Sequence, residues 1–375
     1  MTDPGRDGDE ARGGDRDGDG GVSAGRDAYV AGGDQFFFNV SVYPGQPGAG
    51  TAAGPDEAPA PGPGRRLFSA RVTRRPGQLL VAFGAEDSLV ITERDTTVHR
   101  WSLRGNAPLA GAPASPAAPF KVMRADVGPR VAVSTVAPAV AVTRGARVTL
   151  LHFGEAGYRP TTVPLGTSEF LISTDGERFA TVDDRGVKVR EFADGSVTWR
   201  AAGPRSVATA TMNPAGTTVA ITGAPNMFTG SNRVVVVSRD DPRPREFTFE
   251  NVPMAGSQVA VSPNGALVAV ASFREIVVIR ARTGDIIHRR RLSGLRDDVR
   301  SSVGTRPHRL ICTNQGDLLW LRGRHAVTVN WAGDQSRYLP QDGLCDDIAF
   351  DHATSRFAMV SESGQVDVFQ WNPGP

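Results

Sequence analysis

Lysine is almost missing from this 375-residue chain: of its 42 cationic side chains only Lys121 and Lys188 are lysines. A chain rich in Arg, Ala and Gly and poor in Lys is what GC-rich coding tends to produce, so the arginine count is not by itself a nucleic-acid signature. Cysteine is as scarce. Cys312 and Cys345 stand apart, without CxxC spacing, which excludes a disulfide framework and a cysteine-ligated zinc site. Both read as small buried hydrophobes. No stretch approaches eighteen apolar residues, and the N-terminus is Asp/Gly/Arg-rich rather than basic and then apolar. The expectation is a soluble, cytoplasmic protein without a membrane partner.

Catalytic signatures are missing as well. There is no GxSxG elbow, no P-loop and no GxGxxG after a strand. The six histidines, His99, His152, His288, His308, His325 and His352, fall in different units with no HxxH or HxH pair. The chain is therefore expected to hold no catalytic residues, no metal ligands and no cofactor, and not to be an enzyme. The run His288-Arg289-Arg290-Arg291 has no interleaved aromatics and reads as an outer strand with solvated charges, so no nucleic-acid partner is expected.

What the chain does have is a repeat. Seven times, at intervals of about 37 to 51 residues, a short apolar run meets a polar turn and is answered by a second apolar run. The turns are placed near Asp87, Pro138, Asp175, Ala215, Asn264, Pro307 and His352. That period belongs to circular or solenoidal arrays. The pattern is β throughout, with no amphipathic helical stretch. Unit four is read as strands at 207–212, 218–222, 233–238 and 245–249, and unit five as 259–261, 267–271, 275–280 and 286–290. Gly in the Pro-Ala-Gly and Pro-Asn-Gly turns suits tight connections. The seventh unit supplies three strands, at 348–350, 357–360 and 366–371, and then stops. Residues 67–73 (LFSARVT) have strand character and are expected to complete that unit, closing the ring and removing an exposed edge. The fold class is all-β: a seven-bladed β-propeller of four-stranded antiparallel blades, closed by an N-terminal strand.

Four segments follow. Residues 1–23 form an acidic tail with almost no apolar side chains, expected to be disordered. Residues 1–34 hold nine acidic groups and four arginines, leaving the remainder about +7. Residues 24–43 repeat at a seven-residue interval, AGRDAYV then AGGDQFF, and are β-prone through Tyr29, Val30, Gln35, Phe36, Phe37 and Phe38. Three readings of this segment stand open: an assembly or recruiting element that stacks with other chains, an edge strand packed on the propeller or closing it, and disorder. Residues 44–66 are a Pro/Gly/Ala linker, and 67–375 are the propeller.

The turns in STDGERFATV and SPNGALVAVA and the strand endings VHRWSL and VDVFQW resemble WD-repeat β-propellers over roughly residues 67–371, particularly the degenerate repeats of bacterial signalling and conflict proteins. The Gly-His dipeptide of that family is absent, and Trp-Asp survives only as Trp101-Ser102, so the family's buried hydrogen-bond network is not carried over. The segment GRDAYVAGGDQ is similar to an element near the N-terminus of actinobacterial signalling proteins. This resemblance implies a scaffold or sensing platform with a protein partner, and the N-terminal segment adds recruitment or self-association.

Three places on the propeller are candidate contacts. The pairs Asp297-Asp298 and Asp346-Asp347 are read as lying in connections that lead into innermost strands, where several loops present carboxylates near the channel; the bland reading is ordinary turn aspartate. A ten-residue insertion in unit four, residues 223–232, carries Met227 and Phe228, apolar residues of a kind enriched at interface cores. The alternative function is a propeller hydrolase or lyase with a divalent metal in the channel, held by acids such as Asp298 and Asp347. A third is a receptor with an apolar pocket for a small ligand.

Overall fold

The computed structural model describes residues 62–71, 79–93, 97–104, 107–113, 131–144, 147–154, 157–165, 170–172, 174–183, 185–204, 207, 209–222, 232–249, 258–272, 275–291, 309–314, 316–322, 325–329, 336–339 and 344–372. The N-terminal candidates Tyr29, Val30, Gln35, Phe36, Phe37 and Phe38, together with Met227, Phe228, Asp297 and Asp298, lie outside these residues.

Among the described residues twenty-nine strands form seven sheets. The first, β1 (Gly62–Arg71), belongs to the last blade. Blade one is β2 (Leu79–Gly84), β3 (Ser88–Glu93), β4 (Thr97–Ser102) and β5 (Ala107–Pro113); blade two is β6 (Val131–Ser134), β7 (Ala139–Arg144), β8 (Arg147–Gly154) and β9 (Gly157–Pro164). Blade three takes β10 (Phe170–Ile172), β12 (Arg178–Asp183), β13 (Gly186–Glu191) and β14 (Val197–Ala202), while β11 (Thr174–Gly176) leaves it for blade two. Blade four is β15 (Thr209–Met212), β16 (Thr218–Thr222), β17 (Asn232–Ser238) and β18 (Arg245–Phe249). Blade five is β19 (Gln258–Val261), β20 (Leu267–Ala271), β21 (Glu275–Arg280) and β22 (Ile286–Arg291). Blade six is β23 (Arg309–Cys312), β24 (Leu318–Arg322), β25 (His325–Val329) and β26 (Ser336–Tyr338), and blade seven is β27 (Cys345–Asp351), β28 (Arg356–Ser361) and β29 (Gln365–Asn372). The fold is a seven-bladed β-propeller of antiparallel blades.

Sequence and position agree physically. The middle strands are packed by a neighbouring blade on each face, so β16 (TVAIT) and β20 (LVAVA) read as continuous apolar runs and are almost wholly buried. The outer strand β14 is mostly exposed and carries Thr198, Arg200 and Ala202 to solvent. Gly216 and Gly265 hold positive φ values of 68° and 74° in the turns between first and second strands, a conformation that glycine reaches without strain.

Ring closure follows the expectation, with a shift. β1 pairs antiparallel with β29 from Gly62 opposite Asn372 to Arg71 opposite Gln365, with irregularities around Arg66. The strand thus starts within the segment expected to be linker. Pro63 is tolerated there because β1 is an outer strand and needs no donor on its free side. The closing position on β29 is held by β1, while residues 24–43 lie outside the described residues. Unit six corrects the sequence reading: its first turn spans residues 313–317, between β23 and β24, not the neighbourhood of Pro307. Gly316, at φ 89°, supplies the turn, and Gly316 N–H donates to Thr313 O at 3.1 Å.

Neighbouring blades are tied at these turns. Ala85 N–H donates to Ser134 O (3.0 Å), Thr135 N–H to Gly176 O (2.9 Å) and Glu177 N–H to Pro214 O (2.8 Å), linking blades one to four in series. Asn213 Nδ2 reaches Pro263 O in blade five at 3.0 Å, and Asn314 Nδ2 reaches His352 O across blades six and seven at 2.6 Å. Arg356 pairs with Asp87 and so joins blade seven to blade one. Among the described residues no helix is long and apolar enough to cross a membrane.

Candidate functional site

The innermost strand of a propeller blade has no sheet partner on its channel side, so its backbone groups need other partners. Blades seven, one and two meet this need with side chains and with a borrowed strand. Within β27, Asp347 Oδ2 accepts the Val81 N–H of β2 at 2.9 Å, and Asp346 Oδ2 accepts the Leu79 N–H at 3.4 Å. The free edge of β6 is covered by β11, which pairs parallel to it with Asp175 opposite Val133. A residue that heads β23 completes the arrangement. Arg309 Nη1 donates to Val81 O (2.9 Å) and lies 3.2 Å from Asp347 Oδ2, while its Nη2 donates to Asp175 Oδ1 at 3.0 Å.

One guanidinium from blade six thus touches blades seven and one and the strand β11 added to blade two. Asp347 is 2% exposed at the side chain, and Arg309 and Asp175 are 17% and 16% exposed. Burial pushes the Asp347 carboxyl up to about 6, against the opposing pull of Arg309 and the Val81 amide. Burial also works against the Arg309 charge, but the two carboxylates more than offset it and hold the guanidinium charged. A cleft between blades one and two, walled by Leu80, Ala82, Val90, Val131 and Val133, opens onto Arg309 and Asp347.

A second cluster gathers around Asp351, at the turn between the first and second strands of blade seven. Arg356 Nη2 lies 2.8 Å from Asp351 Oδ2, and Thr354 donates to the same carboxylate. Burial works to raise the Asp351 carboxyl, but the Thr354 hydroxyl and Arg356 bring it below its ordinary value. His352 Nδ1 meets Asn314 Oδ1 at 3.0 Å and its ring stands edge-on to Phe350. Burial lowers the His352 pKa, against the attraction of Asp175 and Asp351.

The sequence reading put Asp346-Asp347 in the connection before the innermost strand. The structure places both inside β27, turned onto the edge of β2 and buried, because that edge offers unpaired N–H donors. Asp347 Oδ2 is shared by an amide and a guanidinium, which leaves that oxygen little capacity to ligate a metal. Among the described residues no three His, Cys, Asp or Glu side chains come together as a metal site. Asp183 ends β12 and caps its turn, accepting from Arg185 N–H (2.8 Å) and Gly186 N–H (2.9 Å). From the sequence Asp175 was read only as the turn of a unit, and Arg309 was not singled out. A signal existed: Arg309 is the only charged residue to head an innermost strand among the described ones, where the other six blades place Leu, Val, Phe, Thr, Gln or Cys.

Both cysteines are buried and free, as their isolation in the sequence suggested. Burial pushes the Cys312 thiol up to about 12, and that of Cys345 further.

No protein-family model matches the chain, and no curated protein matches its sequence. The chain is similar in structure to the hydrazine synthase of Kuenenia stuttgartiensis, with a TM-score of 0.57 and 11% identity over 80% of this chain and 96% of that one. At that identity the likeness shows the propeller fold alone. As many as 1379 solved chains match, and an architecture so widely shared does not specify an activity.

Proposed function

We propose that this chain is a non-enzymatic interaction scaffold, a WD-repeat-like propeller of actinobacterial signalling type that works in the cytoplasm. Its protein partner binds the loops and rim of the disc, and residues 24–43 recruit that partner or other copies of the chain. The observation that carries this reading is that the acids brought together by the first strands are already engaged: Arg309 pairs with Asp175 and Asp347, and Arg309 and Asp347 hold the β2 edge, which leaves these groups bound to the fold rather than poised for a substrate. The surfaces left for recognition are the faces and the outer strands, as a scaffold requires.

Capture of partners from the native host by the whole chain and by a chain starting at Gly62, with both sets named by mass spectrometry, tests the reading. The shorter chain keeps β1 and hence the closed ring. Partners lost with residues 1–61 assign recruitment to the N-terminal segment. Partners held by both place the contact on the propeller, where Met227→Ala with Phe228→Ala follows. If neither form retains a specific protein, the scaffold reading falls.

A further inference from the structure

An outer strand of a blade has one row of N–H and C=O groups with no sheet partner, and such an edge can accept another strand. Most of the described outer strands are guarded against this. Pro108 and Pro113 fall within β5, Pro160 and Pro164 within β9, and Pro63 within β1, so each lacks donors that an added strand would use. β26 has only three residues, and β18 is entered directly from Pro244 and has Glu246 paired with Arg233. Two outer strands have six residues and no proline, β14 (VTWRAA) and β22 (IIHRRR). Both begin with an exposed large apolar side chain, Val197 and Ile286.

Charge separates the two. Residues 280–291 hold five arginines and one acid, Asp285, whose carboxylate already accepts from Thr283 Oγ1 at 2.6 Å. β14 has a single cation, Arg200. The β22 edge is also held in register. Arg289 grips the buried Glu275 of β21 with both prongs, Nε to Oε2 at 3.0 Å and Nη2 to Oε1 at 3.1 Å. A bidentate pair of this kind fixes the end of the strand, so little ordering is needed when a partner arrives. His288 and Arg290 are two residues apart and share one face of the strand.

We propose that the outer edge of blade five docks an acidic, extended peptide segment of the protein partner, which adds to β22 as a fifth strand. This rests on the scaffold reading above and gives the partner its chemistry. The main-chain groups of β22 supply the pairing, Ile286 supplies apolar contact, and acids at alternate positions of the segment fall beside His288 and Arg290. The same cations select against a second copy of β22, which would set like charges opposite one another. A nucleic acid would meet the arginines but has no row of amides and carbonyls to pair with the strand.

The test is fluorescence anisotropy of the whole chain with a labelled synthetic peptide of alternating glutamate and valine. Saturable binding is expected, and it should weaken about tenfold or more when lysine replaces glutamate or when proline interrupts the peptide. Hydrogen exchange is expected to slow across residues 286–291 on adding the peptide and to stay unchanged across 197–202. His288→Glu with Arg290→Glu should weaken binding by a similar factor; if that variant does not fold, the peptide comparisons on the wild type still decide. No binding at millimolar peptide, equal binding of the lysine peptide or of oligothymidylate, or saturation without slowed exchange at 286–291 overturns the docking edge. The scaffold reading fails separately. Host partners captured equally by the wild type and the double variant would remove this edge and leave that reading in place.

Discussion

Arg309 Nη2 meets Asp175 Oδ1 at 3.0 Å although 134 residues separate them in the chain. The pair reaches across the channel, and its energetics are those of a buried charge cluster. Breaking such a cluster by removing one partner leaves a charge without compensation, at a cost of about 3–5 kcal/mol. Arg309→Met is expected to lose that much in urea unfolding. Adding Asp175→Asn and Asp347→Asn to it should recover much of the loss, since no uncompensated carboxylate then remains at the axis. A single-variant loss below about 1 kcal/mol would show that the cluster carries little of the ring's stability.

Asn213 is 1% exposed and serves two blades at once. Its Oδ1 accepts from Thr217 N–H (2.9 Å) and Thr218 N–H (2.8 Å), and its Nδ2 donates to Pro263 O in blade five. Asn213→Ala strands these groups together, at about 1–3 kcal/mol for each one left buried without a partner. Asn213→Asp keeps the acceptor and loses the donor to Pro263, so it should fall between the two. Calorimetry at neutral pH orders the three proteins, and equal melting temperatures for wild type and Asn213→Ala would refute the tie.

Gly265 tests the same interface from the opposite side. Its φ is 74°, and an added Cβ would press on Thr218 Oγ1 of blade four. Gly265→Ala therefore combines backbone strain of about 1–3 kcal/mol with a steric clash. The expected result is a lower denaturation midpoint at an unchanged slope, because the compactness of the fold is not altered. Gly265→Asn eases only the backbone part and keeps the Cβ contact with Thr218, so it is expected to stay well below the wild type, and a wild-type midpoint for Asn would refute the clash.

Much of the fold is legible because the information is local. Each blade is written within about forty residues, as an apolar run, a turn with Gly and a second apolar run. The strands read at 218–222 and 267–271 are β16 and β20 without adjustment. Unit six misleads for a local reason too. Pro307 resembles a turn signal, whereas the turn is made by a Gly316 preceded by polar residues. The channel is another matter. Arg309, Asp175 and Asp347 come from three different units, and no spacing joins them until the ring has closed. Asp346-Asp347 is visible as a pair of acids, but sequence cannot tell an acid in a turn from one that caps the edge of β2.

The closing strand gives the most decisive test of the ring. Phe68 and Ala70 of β1 are buried with Val366 and Val368 of β29, and Phe68 stands edge-on to Trp101 of blade one at 6.1 Å. Ser69 Oγ donates to Asp367 Oδ1 at 2.6 Å, and Arg66 lies over the Phe369 ring. Deleting residues 1–61 leaves all of these contacts in place and should leave the melting temperature within a degree or two. Deleting residues 1–71 removes them and uncovers the edge of β29. Loss of the Phe68 contacts alone, as in Phe68→Ala, is expected to cost about 3–5 kcal/mol. The longer deletion should cost more and should aggregate through the bare edge. A synthetic peptide of residues 62–71, added in trans, ought to restore part of the lost stability in a concentration-dependent way, since it binds only the folded ring. If the two deletions melt alike, β1 is an ornament on a ring that closes by other means, and the seam at β27 and β2 becomes the sole closure.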